Sequence, residues 1–134
     1  MQLLKGALFI AICAVLATGE PLPDRSMIHA ECLEKHELTE NEFQEMAEKM
    51  SLDIDNRFKC YMHCMMSGYG HLNESGKIVI EKIQEQQYLP ERHVEIFTEC
   101  GEQHEAVEDQ CEYVFTLSTC VMAQIRKEAE ERMG

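Results

Sequence analysis

The chain has 134 residues, of which 45% are hydrophobic, and its 25 acidic against 12 basic side chains give a formal net charge of −13 at pH 7. Such an acidic surface repels nucleic-acid phosphates and anionic membranes, which argues against both as partners. The length suits one small domain and excludes a large multidomain protein.

The first 19 residues have the layout of a secretory signal peptide. One cation, Lys5, precedes an apolar run from Ala7 to Ala17, and small residues follow that run. The run is too short to cross a bilayer, since a helix needs about 20 apolar residues for that. We therefore expect residues 1–19 to be removed and residues 20–134 to form one exported domain with a net charge of −14, because Lys5 is lost. The alternative is an N-terminal core helix.

Helix signals are strong in the first half of this domain. "DRSMIHAECLEKH" offers Asp24 or Ser26 as the cap of a first helix. "TENEFQEMAEKM" begins with a capping box, Thr39 with Glu42 three residues on, and has the apolar spacing of one buried helix face. "DNRFKCYMHCMMSGYG" predicts a third helix that ends at Gly68 and Gly70. The residues expected inside these helices are Ile28, Cys32, Leu33, Phe43, Met46, Ala47, Met50, Phe58, Tyr61, Met62 and Met65.

The second half adds three more predicted helices. Residues 78–80, "IVI", are compatible with a strand, but the polar stretch that follows, with Ile83 inside it, favours a short fourth helix. Pro90 suits the first turn of a fifth helix with Val94, Phe97 and Cys100 facing inward. The last helix, residues 106–130, is apolar on two sides, which predicts a central position. The sequence therefore predicts one all-α domain of six helices.

Six cysteines follow the predicted signal peptide. An even number of cysteines in a small exported domain indicates a disulfide framework. The string "KCYMHC" could instead be half of a metal site or a redox pair, but no second closely spaced pair accompanies it, so we expect no metal. The six are Cys32, Cys60, Cys64, Cys100, Cys111 and Cys120.

Helix geometry removes some of the pairings. Cys60 and Cys64 lie one turn apart on one helix face, so each is expected to bond to a different helix. Cys111 and Cys120 are nine residues apart and face opposite sides of the last helix, so they cannot bond to each other. These two exclusions leave ten of the fifteen possible pairings open.

The cysteine spacing C-x27-C-x3-C-x35-C-x10-C-x8-C resembles that of the insect pheromone/general odorant-binding protein family, and so does the segment "KCYMHCMMSGYGHLNESGKI". The resemblance extends over essentially the whole mature chain. It implies a six-helix, disulfide-stapled all-α domain that encloses an apolar pocket. It also implies one pairing of the ten, namely Cys32–Cys64, Cys60–Cys111 and Cys100–Cys120.

The resemblance further suggests which side chains line the pocket, although each of them could equally be ordinary core packing. Position relative to the matching cysteines indicates Met62, Met66, Leu72, Val94, Phe97, Leu117 and Val121. Helix face alone adds Ile28, Phe43, Ile83 and Val114. One or two polar groups would orient a ligand's head group, with Tyr69, Tyr113, His71 and Ser118 as candidates.

The resulting hypothesis is a secreted carrier of small hydrophobic ligands, odorants or pheromones, through extracellular fluid such as sensillum lymph. We expect no cofactor, a monomer or weak dimer, and a membrane receptor as a further partner. The alternatives are a carrier of the same fold in seminal, salivary or gut fluid, and a receptor-directed signalling protein. A secreted enzyme is disfavoured, and no catalytic residues are assigned, because no motif for a nucleophile, a calcium loop or a zinc helix occurs.

Two features bear on ligand release. Six histidines, which titrate near pH 6.5 when unperturbed, make pH-dependent release a hypothesis, against the alternative that they are surface residues without a role. They are His29, His36, His63, His71, His93 and His104. The 14 residues after Cys120 are mostly charged, unlike the apolar tail that enters the pocket of long-tailed family members at acidic pH. We expect this tail to extend the last helix or to cover an entrance.

Overall fold

A computed structural model describes residues 24–50 and 53–134. Within these ranges the chain forms six helices and, outside them, a single antiparallel bridge between Leu72 and Ile78. The helices are α1 (Arg25–Lys35), α2 (Glu40–Lys49), α3 (Asn56–Gly68), α4 (Ile80–Gln86), α5 (Glu91–Gln103) and α6 (Gln110–Met133). The predicted signal peptide, residues 1–19, lies outside the described residues. In the part of the chain that is described, every helix is too short or too polar to span a membrane.

Acidic and hydroxyl side chains fix where the helices begin. Asp24, not Ser26, caps α1, and its carboxylate accepts hydrogen bonds from the amides of the first turn. The capping box at the start of α2 is present as predicted, with Thr39 and Glu42 each satisfying a backbone amide of the other. The prediction that the last helix begins at residue 106 is wrong. Asp109 accepts from the amide of Glu112, so that α6 starts only at Gln110.

The segment between α3 and α5 combines both alternatives considered for residues 78–80. Ile78 pairs with Leu72 across a turn, and the helix begins two residues later at Ile80. The preceding helix ends at Gly68, as predicted, and Gly70 follows with a left-handed φ of 76° that glycine adopts without strain. Pro90 is the residue before α5 rather than part of its first turn.

Three disulfides tie the helices together, and they are the same three pairs that the family resemblance implies. One joins α1 to α3, a second joins α3 to α6 and a third joins α5 to α6. The bridges are Cys32–Cys64, Cys60–Cys111 and Cys100–Cys120. Neighbours on one face of α3 therefore bond to different helices, and the two cysteines of α6 bond in different directions, as helix geometry requires.

The core consists of two apolar clusters that share Met62 of α3. The first lies between α3, α5 and α6, and its buried members are Ile96, Cys100, Tyr113, Val114, Leu117 and Val121. The second lies between α1, α2 and α3, with Cys32, Leu33, Leu38 and Tyr61 buried. Helix α6 packs along both α3 and α5 and carries five buried side chains, which confirms its predicted central position.

Candidate ligand site

The first cluster has an almost completely buried wall. Val114 and Leu117 of α6 have 0% of their surface exposed, and Val121 one turn further on has 4%. Ile96 and Cys100 of α5 complete this wall from the other side. Side chains packed this completely contact other side chains rather than open space. The wall is therefore the back of the site.

In front of this wall lie apolar side chains that are only half-buried. They come from α3, from the turn before α4 and from α5, and each packs against the buried cluster while keeping accessible surface. We call Met62, Met66, Leu72, Ile78 and Phe97 the half-buried lining. Apolar surface that is only partly buried by the protein itself is the kind that an apolar ligand would cover.

The structure brings nine of the eleven predicted lining residues into the two clusters. Met62, Met66, Leu72, Phe97, Val114, Leu117 and Val121 belong to the first cluster, and Ile28, Phe43 and again Met62 to the second. The other two lie apart: Ile83 is buried on α4 and Val94 is half-buried on α5, and neither is a member of either cluster. That any of these residues contacts a ligand stays a prediction.

Two of the most deeply buried side chains, Ile96 and Phe115, were not predicted from the sequence as inward-facing. Ile96 is 1% exposed and forms part of the wall, whereas Val94 and Phe97 on either side of it are only half-buried. Phe115 of α6 is 2% exposed and lies beneath Lys59, whose ammonium is 5.0 Å from the ring centroid. The helical spacing of the apolar residues could have indicated both, but that spacing is compatible with more than one choice of the buried helix face.

A small cleft opens onto the half-buried lining between α5 and the turn before α4. Its volume is about 210 Å³, and its apolar surface comes from Ile78, Ile80, Phe97 and Tyr113. Gly101 of α5 helps to keep this space open, because a Cβ there would have only the Ile78 side chain within 4 Å, at 3.8 Å. The cleft therefore exposes two members of the half-buried lining, Ile78 and Phe97, to solvent.

A larger groove of about 730 Å³ lies between the start of α5 and the last turns of α6. Its apolar lining residues are Pro90, Ile96 and Ile125, and the two isoleucines also belong to or pack on the first cluster. The other lining side chains are charged or polar, among them Arg92, His93 and Glu128. Its size falls within the range of ligand-binding sites, which is about 300–1,000 Å³. The expected enclosed apolar pocket itself stays a prediction.

Arg92 links the two helices that form this groove. Its guanidinium donates to both carboxylate oxygens of Glu128, at 2.7 to 3.1 Å, and a further bond goes to Glu95. Hydrogen bonds from Arg92 and then from Gln124 lower the pKa of Glu128 to about 2. Hydrogen bonds to Glu128 and then to Glu95 raise the pKa of Arg92 above its usual value. This pair therefore stays ionised, and its contribution is complete above about pH 4.5 and lost only as the pH falls toward 2.

Of the four polar candidates, Tyr113 is the one that belongs to the first cluster. It is 2% exposed, and its hydroxyl accepts a hydrogen bond of 3.1 Å from the amide of Ile78. Among the described residues this hydroxyl has no acceptor for its own proton, and Tyr113 is one of the residues that line the cleft. Lys77 covers the ring with its ammonium 4.2 Å from the centroid.

The other polar candidates already have structural partners or lie elsewhere. The Tyr69 hydroxyl accepts from Arg25, and the Tyr69 backbone carbonyl accepts from the side-chain Nε2 of Gln86. His71 is 9% exposed and donates from Nε2 to the Gln86 side-chain oxygen at 3.0 Å. Ser118 is half-buried on α6.

Three of the remaining histidines mark the contacts of α1 with its neighbours. His29 of α1 bridges Tyr61 and Glu40, and burial raises the pKa of Tyr61 to about 12. Burial lowers the pKa of His36 and of His63, so both favour the neutral form. Residues 24–50 and 53–134 contain no group of three or more metal-ligating side chains.

The fold and the site together define a class of protein: a small all-α bundle with three disulfides and a half-buried apolar lining against its central helix. Residues 22–124 match the PBP/GOBP family, and the chain belongs to it. General odorant-binding protein 57c of Drosophila melanogaster is 27% identical over 107 residues, which are 75% of this chain and 72% of that protein.

Two solved structures share the fold. The crystal structure of the medfly odorant-binding protein CcapOBP22/CcapOBP69a has a TM-score of 0.58 at 24% identity, over 74% of this chain and 85% of the other. The odorant-binding protein dmelOBP28a of Drosophila melanogaster has a TM-score of 0.56 at 25% identity, over 78% of this chain and 91% of the other. Both are insect proteins, in agreement with the resemblance seen in the sequence.

Proposed function

We propose that this protein is a carrier that binds small apolar molecules, of the odorant or pheromone kind, and transports them through an aqueous extracellular fluid. The observation that carries this proposal is the half-buried lining, which lies against the fully buried wall of α6 inside a disulfide-bonded bundle. Membership of the PBP/GOBP family and the names of its relatives support the same conclusion.

The driving force for binding is the removal of apolar surface from water. Each Å² of ligand and lining covered contributes roughly 25 cal/mol before the costs of ordering the ligand. For a ligand of ten to twenty heavy atoms these terms leave an affinity on the order of micromolar. Met62 and Met66 supply a flexible thioether surface that adapts to ligands of different shape.

Orientation of the ligand follows from Tyr113. An alcohol, ester or aldehyde whose oxygen points at the cleft would accept the unused hydroxyl proton, while its apolar part covers Ile78 and Phe97. A saturated hydrocarbon of the same shape would lack this bond. We therefore infer a preference for apolar molecules that carry one hydrogen-bond acceptor.

The carrier role requires export. Residues 1–19 would serve as the signal peptide and residues 20–134 as the functional domain. Three disulfides require an oxidising compartment and are typical of exported domains. Delivery to a membrane receptor is the final step of this proposal.

The test is displacement of a fluorescent naphthylamine from the delipidated mature domain. We expect the probe's emission to rise on binding, and apolar esters or aldehydes to displace it at micromolar concentrations. Met66→Gln, which places an amide in the half-buried lining, should weaken binding several-fold, on the order of 1 kcal/mol. Met122→Gln is the matched control, because Met122 is 48% exposed on α6.

Two results would contradict the proposal. One is a delipidated wild-type domain that produces no change in probe emission. The other is equal weakening by Met66→Gln and Met122→Gln, which would mean that the probe reports general surface binding. A mass spectrum of whatever co-purifies from native fluid would then identify the ligand.

A further inference from the structure

The turn between α3 and α4 contains the tripeptide Asn73-Glu74-Ser75. Asparagine followed two residues later by serine or threonine, with no proline between, is the acceptor motif for N-linked glycans in exported proteins. The chain has two other asparagines, Asn41 and Asn56, and neither has a serine or threonine at that position. A single candidate acceptor therefore exists in the sequence.

The structure places this motif where a sugar can be accommodated. Asn73, Glu74 and Ser75 are all exposed and lie in the turn closed by the Leu72–Ile78 bridge, outside every helix. A bulky hydrophilic group attached there would extend into water without displacing a packed side chain. The folded domain can thus carry the modification without rearrangement.

The oxygen of the Asn73 carboxamide takes part in the turn, whereas its nitrogen does not. Its Oδ1 accepts from the amides of Ser75, at 2.9 Å, and of Lys77, at 3.0 Å. Its Nδ2 makes no hydrogen bond to any described residue. A glycosylated asparagine keeps Oδ1 and one N–H, so both turn-forming bonds survive attachment at the nitrogen.

The Ser75 side chain, by contrast, has no structural partner within residues 24–50 and 53–134. The turn is held by backbone bonds, from the Asn73 amide to the Lys77 carbonyl at 2.8 Å and from the Gly76 amide to the Asn73 carbonyl at 2.9 Å. Gly76 adopts a φ of 78°, a conformation that glycine allows. The serine hydroxyl is therefore dispensable for the fold but is the group that completes the acceptor motif.

We propose that Asn73 is N-glycosylated during export, an inference that rests on the exported carrier proposed above. The donor is an oligosaccharide linked through a diphosphate to a lipid. A bond forms between Asn73 Nδ2 and C1 of the first N-acetylglucosamine, and the bond from that C1 to the lipid diphosphate oxygen breaks. Nδ2 loses one proton, which is released to the solvent. The lipid diphosphate is the leaving group, and no oxidation or reduction occurs.

The experiment expresses the whole chain, residues 1–134, in insect cells and measures the intact mass of the product before and after peptide N-glycosidase. We expect wild type to carry one oligosaccharide that the enzyme removes. Ser75→Ala should abolish the modification while leaving the turn intact, since it removes only the hydroxyl. Asn73→Asp is a second test, because an aspartate retains the oxygen that accepts from Ser75 and Lys77.

Ser75→Thr is the matched control and should keep the modification, because threonine completes the same motif. An exported chain with three disulfides and an unmodified Asn73 would overturn the glycosylation alone. A chain that stays in the cytosol with free thiols would overturn export and glycosylation together. Naphthylamine displacement, measured separately on each product, reports on the carrier role without depending on the sugar.

Discussion

Removal of the Cys60–Cys111 disulfide tests how the bundle is stabilised. Both cysteines are half-buried, so replacing them with alanine deletes little core volume, unlike Cys32 and Cys100, which are 1% and 3% exposed. The bridge spans 51 residues, and closing a loop of that length lowers the entropy of the unfolded chain by an amount worth about 4 kcal/mol. For a domain whose total stability is about 5–15 kcal/mol, this is a large fraction.

The assay is urea unfolding of wild type and of the double variant Cys60→Ala, Cys111→Ala, followed by far-ultraviolet circular dichroism. We expect an unchanged native spectrum, a loss of about 4 kcal/mol and a steeper denaturant dependence, because the unfolded variant is less compact. In strong reductant the two proteins should become alike, since the wild-type bridge then opens as well. A loss of less than about 1 kcal/mol in the free energy of unfolding would refute the reasoning. In the chain-entropy model, opening a loop of this length in the unfolded chain destabilises the fold by more than that.

Three further predictions follow from single positions. Tyr113→Phe should weaken binding of an apolar ester several-fold, on the order of 1 kcal/mol, while binding of a hydrocarbon of the same shape changes little; equal losses in naphthylamine displacement would contradict the donor role. Gly101→Ala should raise stability by about 0.5–1 kcal/mol, because alanine favours a helix and its Cβ would lie no closer than 3.8 Å to Ile78; a lower Tm would show that the cleft does not tolerate a methyl group. Burial, and then the charge of Lys35, lower the pKa of His63 below 6.5, so the unfolded chain takes up the proton more readily and stability falls as the pH drops through about 6.5. His63→Gln should therefore reduce the loss of Tm between about pH 7.5 and 5, and an unchanged loss would mean that other groups cause it.

Much of the helical framework could be predicted from local chemistry. The Thr39–Glu42 capping box, the end of α3 at Gly68 and the different partners of Cys60 and Cys64 follow from short-range rules that tertiary contacts did not override. The start of α6 was misplaced because residues 106–109 continue the apolar spacing. Asp109 nevertheless caps the helix, so that α6 begins at Gln110. Val107 lies before the helix and still packs against the first cluster.

The site was less predictable, because contacts with residues distant in the sequence decide which side chains of a helix point toward the core. On α5, Val94, Ile96 and Phe97 are all apolar, and helical spacing alone accepts more than one of them as the inner residue. The Cys100–Cys120 bridge and the packing of α6 select Ile96. The hydrogen bond from the Ile78 amide to the Tyr113 hydroxyl joins residues 35 positions apart, and no local pattern indicates it.

The position of the cysteines on α6 also has a mechanical consequence. Both bridges to this helix, at Cys111 and Cys120, lie in its first half, so its last three turns have no covalent tie to the bundle. The clasp between Arg92 and Glu128 holds that free end against α5, and it survives mild acid because the carboxylate remains ionised. An exposed ion pair weakens as salt screens it, so ionic strength, rather than moderate acidification, is the solution variable to which this end of the helix responds.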